Sequence, residues 1–243
     1  ITPLLAAQDL GEFTDEQVIG EVQGDTEALY DEGAGEYIVA SDGNISGTAD
    51  NFHFMYKEIT GSFSITGKSL LIGDGKTGFM ARASLDPDSA HYFTPLLTNN
   101  EQVQSQYRLE TGGPLVSFTA YDSLEGQMEL VRLGDAFYGY YINPGSGEKT
   151  LMHSTQIEMP DTIYVGIATA SGSDAVSEGI IWDLEIELYD FFAARELPSP
   201  TFVPQETIED IVITLDVREG TTPDMTVVET PPAEWEITGI EPS

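Results

Sequence analysis

The sequence contains no cysteine. Disulfides and thiol chemistry are therefore excluded, and a zinc site would have only the widely spaced His53, His91 and His153 to draw on. Positive charge is the second scarcity: 9 Lys and Arg face 42 Asp and Glu, for a formal net charge of −33. A phosphate backbone is repelled by such a field, so nucleic acid is excluded as a partner. No apolar run approaches the roughly 18 residues that cross a bilayer, so no membrane span is expected. Helical periodicity is almost missing, and only 15–19 and 190–195 have helical character. There is no Gly-x-Ser-x-Gly, no phosphate loop and no histidine beside a nucleophile.

What is present alternates. Phe52, Phe54 and Tyr56 face one way and His53, Met55 and Lys57 the other, and Phe63 and Ile65 alternate with Ser62, Ser64 and Thr66. A period of two belongs to a pleated strand. Gly61 lies between the two runs, so they read as a hairpin. Further runs at 37–40, 78–82, 91–94, 103–108, 115–119, 128–132, 136–142, 163–168 and 179–188 are separated by Gly, Pro, Asn and Asp, with Ser41-Asp-Gly-Asn44 as one of the turns. About a dozen strands without helices predict an all-β sandwich of two antiparallel sheets. Hydrophobic content of 40% and aromatic content of 10% supply its core.

The acids are scattered, which suits a self-repelling surface in salty surroundings, where screening removes the repulsion. Oxygen ligands for calcium are offered by Asp42, Asn44 and Asp50, in one Gly-containing loop, and by Asp183. Lys76, Arg82 and Arg132 lie in or beside apolar strands and are expected to pair with carboxylates. His53 and His91 read as packed side chains. In Trp182-Asp-Leu-Glu-Ile-Glu187, Asp183, Glu185 and Glu187 share a strand face, the arrangement by which sandwich glucanases present nucleophile and acid. A composition this acidic places carboxylates on any exposed strand, and the chain reads as not an enzyme. Tyr107, Tyr138, Tyr140 and Tyr141, with Gln104 nearby, are the candidate glycan contacts.

Residues 12–188, within a domain expected to run over 12–192, resemble the concanavalin A-like, laminin-G-type jelly-roll domains of prokaryotic secreted proteins. The matching words are Gly47-Thr-Ala-Asp-Asn-Phe-His-Phe-Met-Tyr56, Gly61-Ser-Phe-Ser-Ile65, Lys76-Thr-Gly-Phe-Met-Ala-Arg82, Leu85-Asp-Pro-Asp-Ser-Ala-His91, Tyr107-Arg-Leu-Glu-Thr-Gly-Gly113, Leu130-Val-Arg132, Phe137-Tyr-Gly-Tyr-Tyr141 and Tyr164-Val-Gly-Ile-Ala168. The resemblance implies a jelly-roll fold. Where relatives read Ser-Asp-Gly-x-x-Trp after the Tyr-Tyr pair, this chain has Asn143-Pro-Gly-Ser-Gly-Glu148. An arm, 1–11, precedes the domain, and a Pro-rich linker, 193–207, follows it. The segment 208–243 contains Thr226-Val-Val-Glu-Thr-Pro-Pro-Ala-Glu-Trp235, similar to the first half of immunoglobulin-like repeats in surface proteins.

These features lead to an extracellular or cell-surface expectation, with the start at Ile1 rather than Met read as processing. The expected role is a non-catalytic, self-assembling subunit of a filament or surface layer. Strand pairing with other copies, or with other surface proteins, would run through Leu4, Leu5, Ile211, Ile213, Leu215, Val227 and Trp235, because an unpaired sheet edge is a template for strand addition. The alternative is a carbohydrate-binding or adhesion module of a larger surface protein, with polysaccharide as its partner.

Overall fold

The structure is a computed structural model that describes residues 9–97, 102–122, 127–196 and 212–217. Every regular element in it is a strand, and every ladder is antiparallel. Strands β1 (Asp15–Ile19), β4 (Ala49–Thr60), β13 (Thr162–Ala170), β6 (Lys76–Arg82), β7 (His91–Leu97), β8 (Gln102–Arg108) and β9 (Val116–Asp122) lie side by side in that order. We call this sheet I. Sheet II runs β2 (Glu27–Asp31), β3 (Glu36–Ser46), β14 (Ser173–Leu188), β5 (Phe63–Ile72), β10 (Gln127–Leu133), β11 (Ala136–Ile142) and β12 (Lys149–Gln156). The sheets join at one corner, where Asn44–Ser46 of β3 pairs with Ala49–Asn51 of β4 around Gly47, whose φ of 60° closes the two-residue turn.

Alternation decides which side chains enter the space between the sheets. Met55, Ile59, Phe79, Ala81, Tyr92, Leu96, Ile163, Val165 and Ile167 of sheet I meet Val39, Phe63, Ile65, Met128, Leu130, Phe137, Tyr141 and Ile181 of sheet II in one buried cluster. The expected all-β jelly-roll sandwich is the fold observed. Its β9/β12 side is closed by a stack in which His153 lies 3.9 Å from Phe118 and 5.4 Å from Tyr107 between ring centroids.

Sheet I has a second apolar layer on its other face. Phe52, Phe54, Tyr56, Met80, Phe93, Ala168 and Ala170 are buried there with Ile19 and Ile45, and Leu85 packs against them. Both faces of β4 are therefore covered along Phe52–Tyr56, where every residue is buried. Each fully buried aromatic contributes about 2–3 kcal/mol by removal from water.

Three local expectations are corrected. Both helix candidates are extended: 15–19 is β1, and 190–195 falls largely in β15 (Phe191–Glu196), which pairs with β16 (Val212–Val217). The run Ser41–Asn44 is strand rather than turn, because β3 continues through it with Gly43 at φ 82°. The hairpin across Gly61 does not form. Strand β4 pairs with β1, β3 and β13, while β5 pairs with β10 and β14. Gly61 and Ser62 carry the chain from one sheet to the other, since a turn residue permits reversal without choosing the partner. The expected hairpin of 128–132 with 136–142 is formed by β10 and β11.

Candidate functional site: the outer face of sheet II

The solvent side of sheet II follows from its register. One row across β12, β11, β10, β5 and β14 reads Leu151, Tyr140, Glu129, Thr66, Glu185. Beside it run Ser154, Tyr138, Val131, Ser64, Glu187 and, on the other flank, Lys149, Ile142, Gln127, Lys68, Trp182. Their strand neighbours Met128, Leu130, Phe137 and Tyr141 point into the core, so parity forces these residues outward.

Tyr138 and Tyr140 are half-buried and stack on each other, with centroids 6.3 Å apart and an interplanar angle of 17°. Gly139 between them lies against the core: a Cβ there would meet Ser105 Oγ at 2.5 Å and Tyr92 Oη at 3.0 Å. Only glycine lets β11 lie this close while presenting both tyrosines outward. The register between β11 and β12 shifts at Gly139/Tyr140. Lys149 Nζ sits 4.2 Å from the centroid of the Tyr140 ring and 2.5 Å from Glu129 Oε2, a cation–π contact joined to an ion pair. Burial pushes the Tyr140 phenol up, Lys149 opposes it, and Glu129 and Tyr138 add to it.

At the β14 end a bulge reshapes the row. Trp182 pairs with Lys68 and Glu185 with Thr66, so an extra residue is taken up between them, and Asp183 there adopts φ 52°. Asp183 bonds Lys68 Nζ at 2.7 Å. Trp182 is half-buried on the outer face, while Glu185 and Glu187 are exposed there and Leu184 and Ile186 pack inward. Three strand spacings, about 14 Å, separate Trp182 from the β11 tyrosines. The face can thus offer aromatic surface at both ends with amide, hydroxyl and carboxylate groups between.

Of the four tyrosines singled out from sequence, the structure brings Tyr138 and Tyr140 to this face. Tyr107 and Tyr141 are core: Tyr107 is 9% exposed and stacks on Tyr92, and Tyr141 is 6% exposed. Gln104 is buried on sheet I. Glu129, Lys149 and Trp182 were not singled out as glycan contacts. The register with Tyr140 and Lys68 is what recruits them, and a sequence read strand by strand carries no such signal.

The four calcium candidates are dispersed among separate partners. Asp42 is buried and accepts the Gln23 and Gly24 N–H groups through Oδ2 at 2.8 and 2.7 Å. Asn44 is at the β3–β4 corner and Asp183 at the bulge. Asp50 is fully buried and takes a bidentate contact from Arg108, Nη1 and Nη2 each at 2.8 Å. Among the described residues no three His, Cys, Asp or Glu are grouped as a metal would need.

For Arg82 and Lys76 the expected pairing with carboxylates is corrected. Arg82 donates to the carbonyls of Ser84 and Asp86 at 2.7 and 2.6 Å and lies over Phe52. Arg132 donates to the carbonyls of Gly134, Pro160 and Asp161 at 2.8–2.9 Å. Lys76 bonds Ile45 O at 2.9 Å and Gln106 Oε1 at 3.0 Å. Neutral acceptors present fixed dipoles to a cation without the cost of desolvating a second charge, which is why they hold Arg82 and Lys76 in place of the expected carboxylates. The buried bidentate pair is instead Asp50–Arg108, and it ties the β3–β4 corner to Ser89 O and Gly113 O. His91 lies against it, and burial pulls its pKa down to about 3. His53 is packed as expected, with Glu16 and Ala40 O on its ring nitrogens. Ile213 and Leu215 fall in β16, while Leu4, Leu5, Ile211, Val227 and Trp235 lie outside the described residues.

No protein-family model matches the sequence, and no curated protein does. Among solved structures, the chain is similar to a functionally unknown protein from Saccharomyces cerevisiae, at TM-score 0.55 and 11% identity over 70% of this chain and 95% of that one. It is also similar, at TM-score 0.48 and 11% identity, to a carbohydrate-binding module from Bacillus subtilis over 73% of this chain and 98% of that one. The lectin-like defence protein arcelin-5 from Phaseolus vulgaris gives TM-score 0.47 and 11% identity over 74% of this chain and 93% of that one. At these identities the likeness is one of fold: an all-β jelly-roll sandwich, in which no helix among the described residues is long and apolar enough to cross a membrane.

Proposed function

We propose that the chain is a non-catalytic carbohydrate-binding module of an extracellular or cell-surface protein, holding a glycan across the outer face of sheet II. The observation that carries this is the stacked, partly exposed Tyr138–Tyr140 pair on the outward face of sheet II, in register with the buried Glu129, with Thr66 and with the exposed Glu185, and bordered by Lys149. Tyrosine faces receive the C–H side of a sugar ring, while carboxylates, amides and hydroxyls take its OH groups. Glu185 and Glu187 remain exposed, where their carboxylates can accept sugar hydroxyls. Affinity electrophoresis against neutral and acidic polysaccharides tests it. Retardation by at least one polysaccharide that disappears in Tyr140→Ala, with thermal stability kept, is the expected result. Unretarded migration in every polysaccharide overturns it.

Assembly with other copies is the second reading. It draws on the other half of the same face, where Leu29, Ile38, Ile180 and Leu70 align across β2, β3, β14 and β5. Leu70 is 45% and Ile72 54% exposed, an apolar patch that favours a protein neighbour. Sedimentation velocity distinguishes the two: concentration-dependent association abolished by Leu70→Asp supports assembly, and a monomer at all concentrations removes it.

A further inference from the structure

One buried cation is held differently from the others. Arg82, Arg108 and Arg132 each spread their guanidinium over several acceptors. Lys76, at the start of β6, has two neutral partners, Ile45 O and Gln106 Oε1, and no ion pair among the described residues. An ammonium carries three donors, so one is left over. Gln106 is itself oriented by a chain of amides, its Nε2 donating to Gln104 Oε1 at 2.8 Å and Gln104 Nε2 to Gln102 Oε1 at 3.3 Å. Its carbonyl oxygen is thereby turned to Lys76, and the ammonium is fixed in place.

Lys76 lines an open cleft of about 440 Å³ with Asn44, Asp74, Gly75, Leu97, Ser171, Gly172 and Ser173. That volume lies within the range of small-molecule sites, roughly 300–1,000 Å³. Burial lowers Lys76 to about 8, so it is still largely protonated at neutral pH, with only the more distant Asp50 charge supporting it. A largely desolvated ammonium with a spare donor, on a side chain that lines the cleft, can hold one negative charge. The Asp74 carboxylate on the same lining disfavours a second negative charge and accepts hydroxyls, as the Asn44 amide and the Ser173 hydroxyl also do.

We propose that this cleft binds a small polyhydroxylated monocarboxylate of the uronic or aldonic acid class, its carboxylate on Lys76 Nζ and its hydroxyls on Asp74, Asn44 and Ser173. The site stands apart from the tyrosine face and does not rest on the glycan reading. Sodium D-galacturonate and its uncharged counterpart D-galactose are the probes, titrated into 15N- and Lys-13Cε-labelled protein and followed by NMR. Galacturonate should give saturable shifts at Gly75, Gly172 and the Lys76 Cε, with galactose weaker by about tenfold or more, the loss of one charge-assisted hydrogen bond. Lys76→Gln should weaken galacturonate by a similar factor and Lys76→Arg by less. The wild-type Lys76 Cε signal reads the contact directly even if Lys76→Gln fails to fold. Absence of saturable shifts with galacturonate, or equal shifts with galactose, overturns the proposal.

Discussion

Two rows of aromatics two residues apart sit on the outer faces of the two sheets, and they have opposite fates. Phe52, Phe54 and Tyr56 of β4 lie in series, edge-on at 5.8 Å and stacked at 5.2 Å, and are buried in one cluster with Ile19, Ile45, Met80 and Phe93, against which Leu85 packs. Tyr138 and Tyr140 of β11 stack at 6.3 Å and remain half-exposed. The local pattern is the same in both. The difference is a second layer over sheet I, built from the β3–β4 corner and the 83–90 loop and anchored by Arg82 and the Asp50–Arg108 pair. A covered row works as core, and an uncovered row is available to a ligand.

Truncation breaks the comparison most severely on the covered side. Phe54→Ala should cost about 3–5 kcal/mol in denaturant unfolding, as large core deletions do. If it costs under about 1 kcal/mol, the second layer is not a packed core. Next comes the anchor: Asp50→Asn leaves Arg108 buried without its counter-charge and should cost about 3 kcal/mol or more. The same measurement reads it, and an unchanged midpoint would remove the pair from the account. On the open side, Tyr140→Ala should change stability by about 1 kcal/mol or less while weakening glycan retardation by about 2 kcal/mol, roughly 30-fold. Equal losses of stability and binding would show that the two rows play the same role.

A pH dependence is also expected, confined to the covered side. His91 has a folded-state pKa of about 3 against an ordinary 6.5, lowered first by burial and partly sustained by Asp50. The folded state binds fewer protons between those values. His91's share of stability is therefore complete above pH 6.5 and is lost as the pH falls toward 3, by up to about 1.4 kcal/mol per pH unit. Unfolding curves of wild type and His91→Gln should converge in slope above pH 6.5 and diverge below it. Parallel curves throughout would contradict this assignment.

Legibility followed the range of the interactions. The fold class was readable because alternation is local: a residue's face depends on its own strand's pleat. The Gly61 reversal was misread because glycine marks a bend without naming a partner, and β4 and β5 belong to opposite sheets. Arg82 was recognised as unusual, but its partners are loop carbonyls that any sequence supplies. For Tyr107 and Tyr141 against Tyr138 and Tyr140, alternation separates neighbours within β11, yet only the position of the second sheet says which parity faces inward.

By itself the sequence determined an all-β chain with alternating strands, a highly acidic surface and no thiol chemistry, because these depend on composition and on a period of two. Tertiary structure alone decided which strands became neighbours, which aromatic row was covered, and that Trp182, Glu129 and Lys149 share a face with Tyr140. It also decided that Lys76 lines a cleft. The physical reason is that register and layer packing couple residues far apart in the chain through ladder hydrogen bonds and buried area, and neither quantity is written in any single segment.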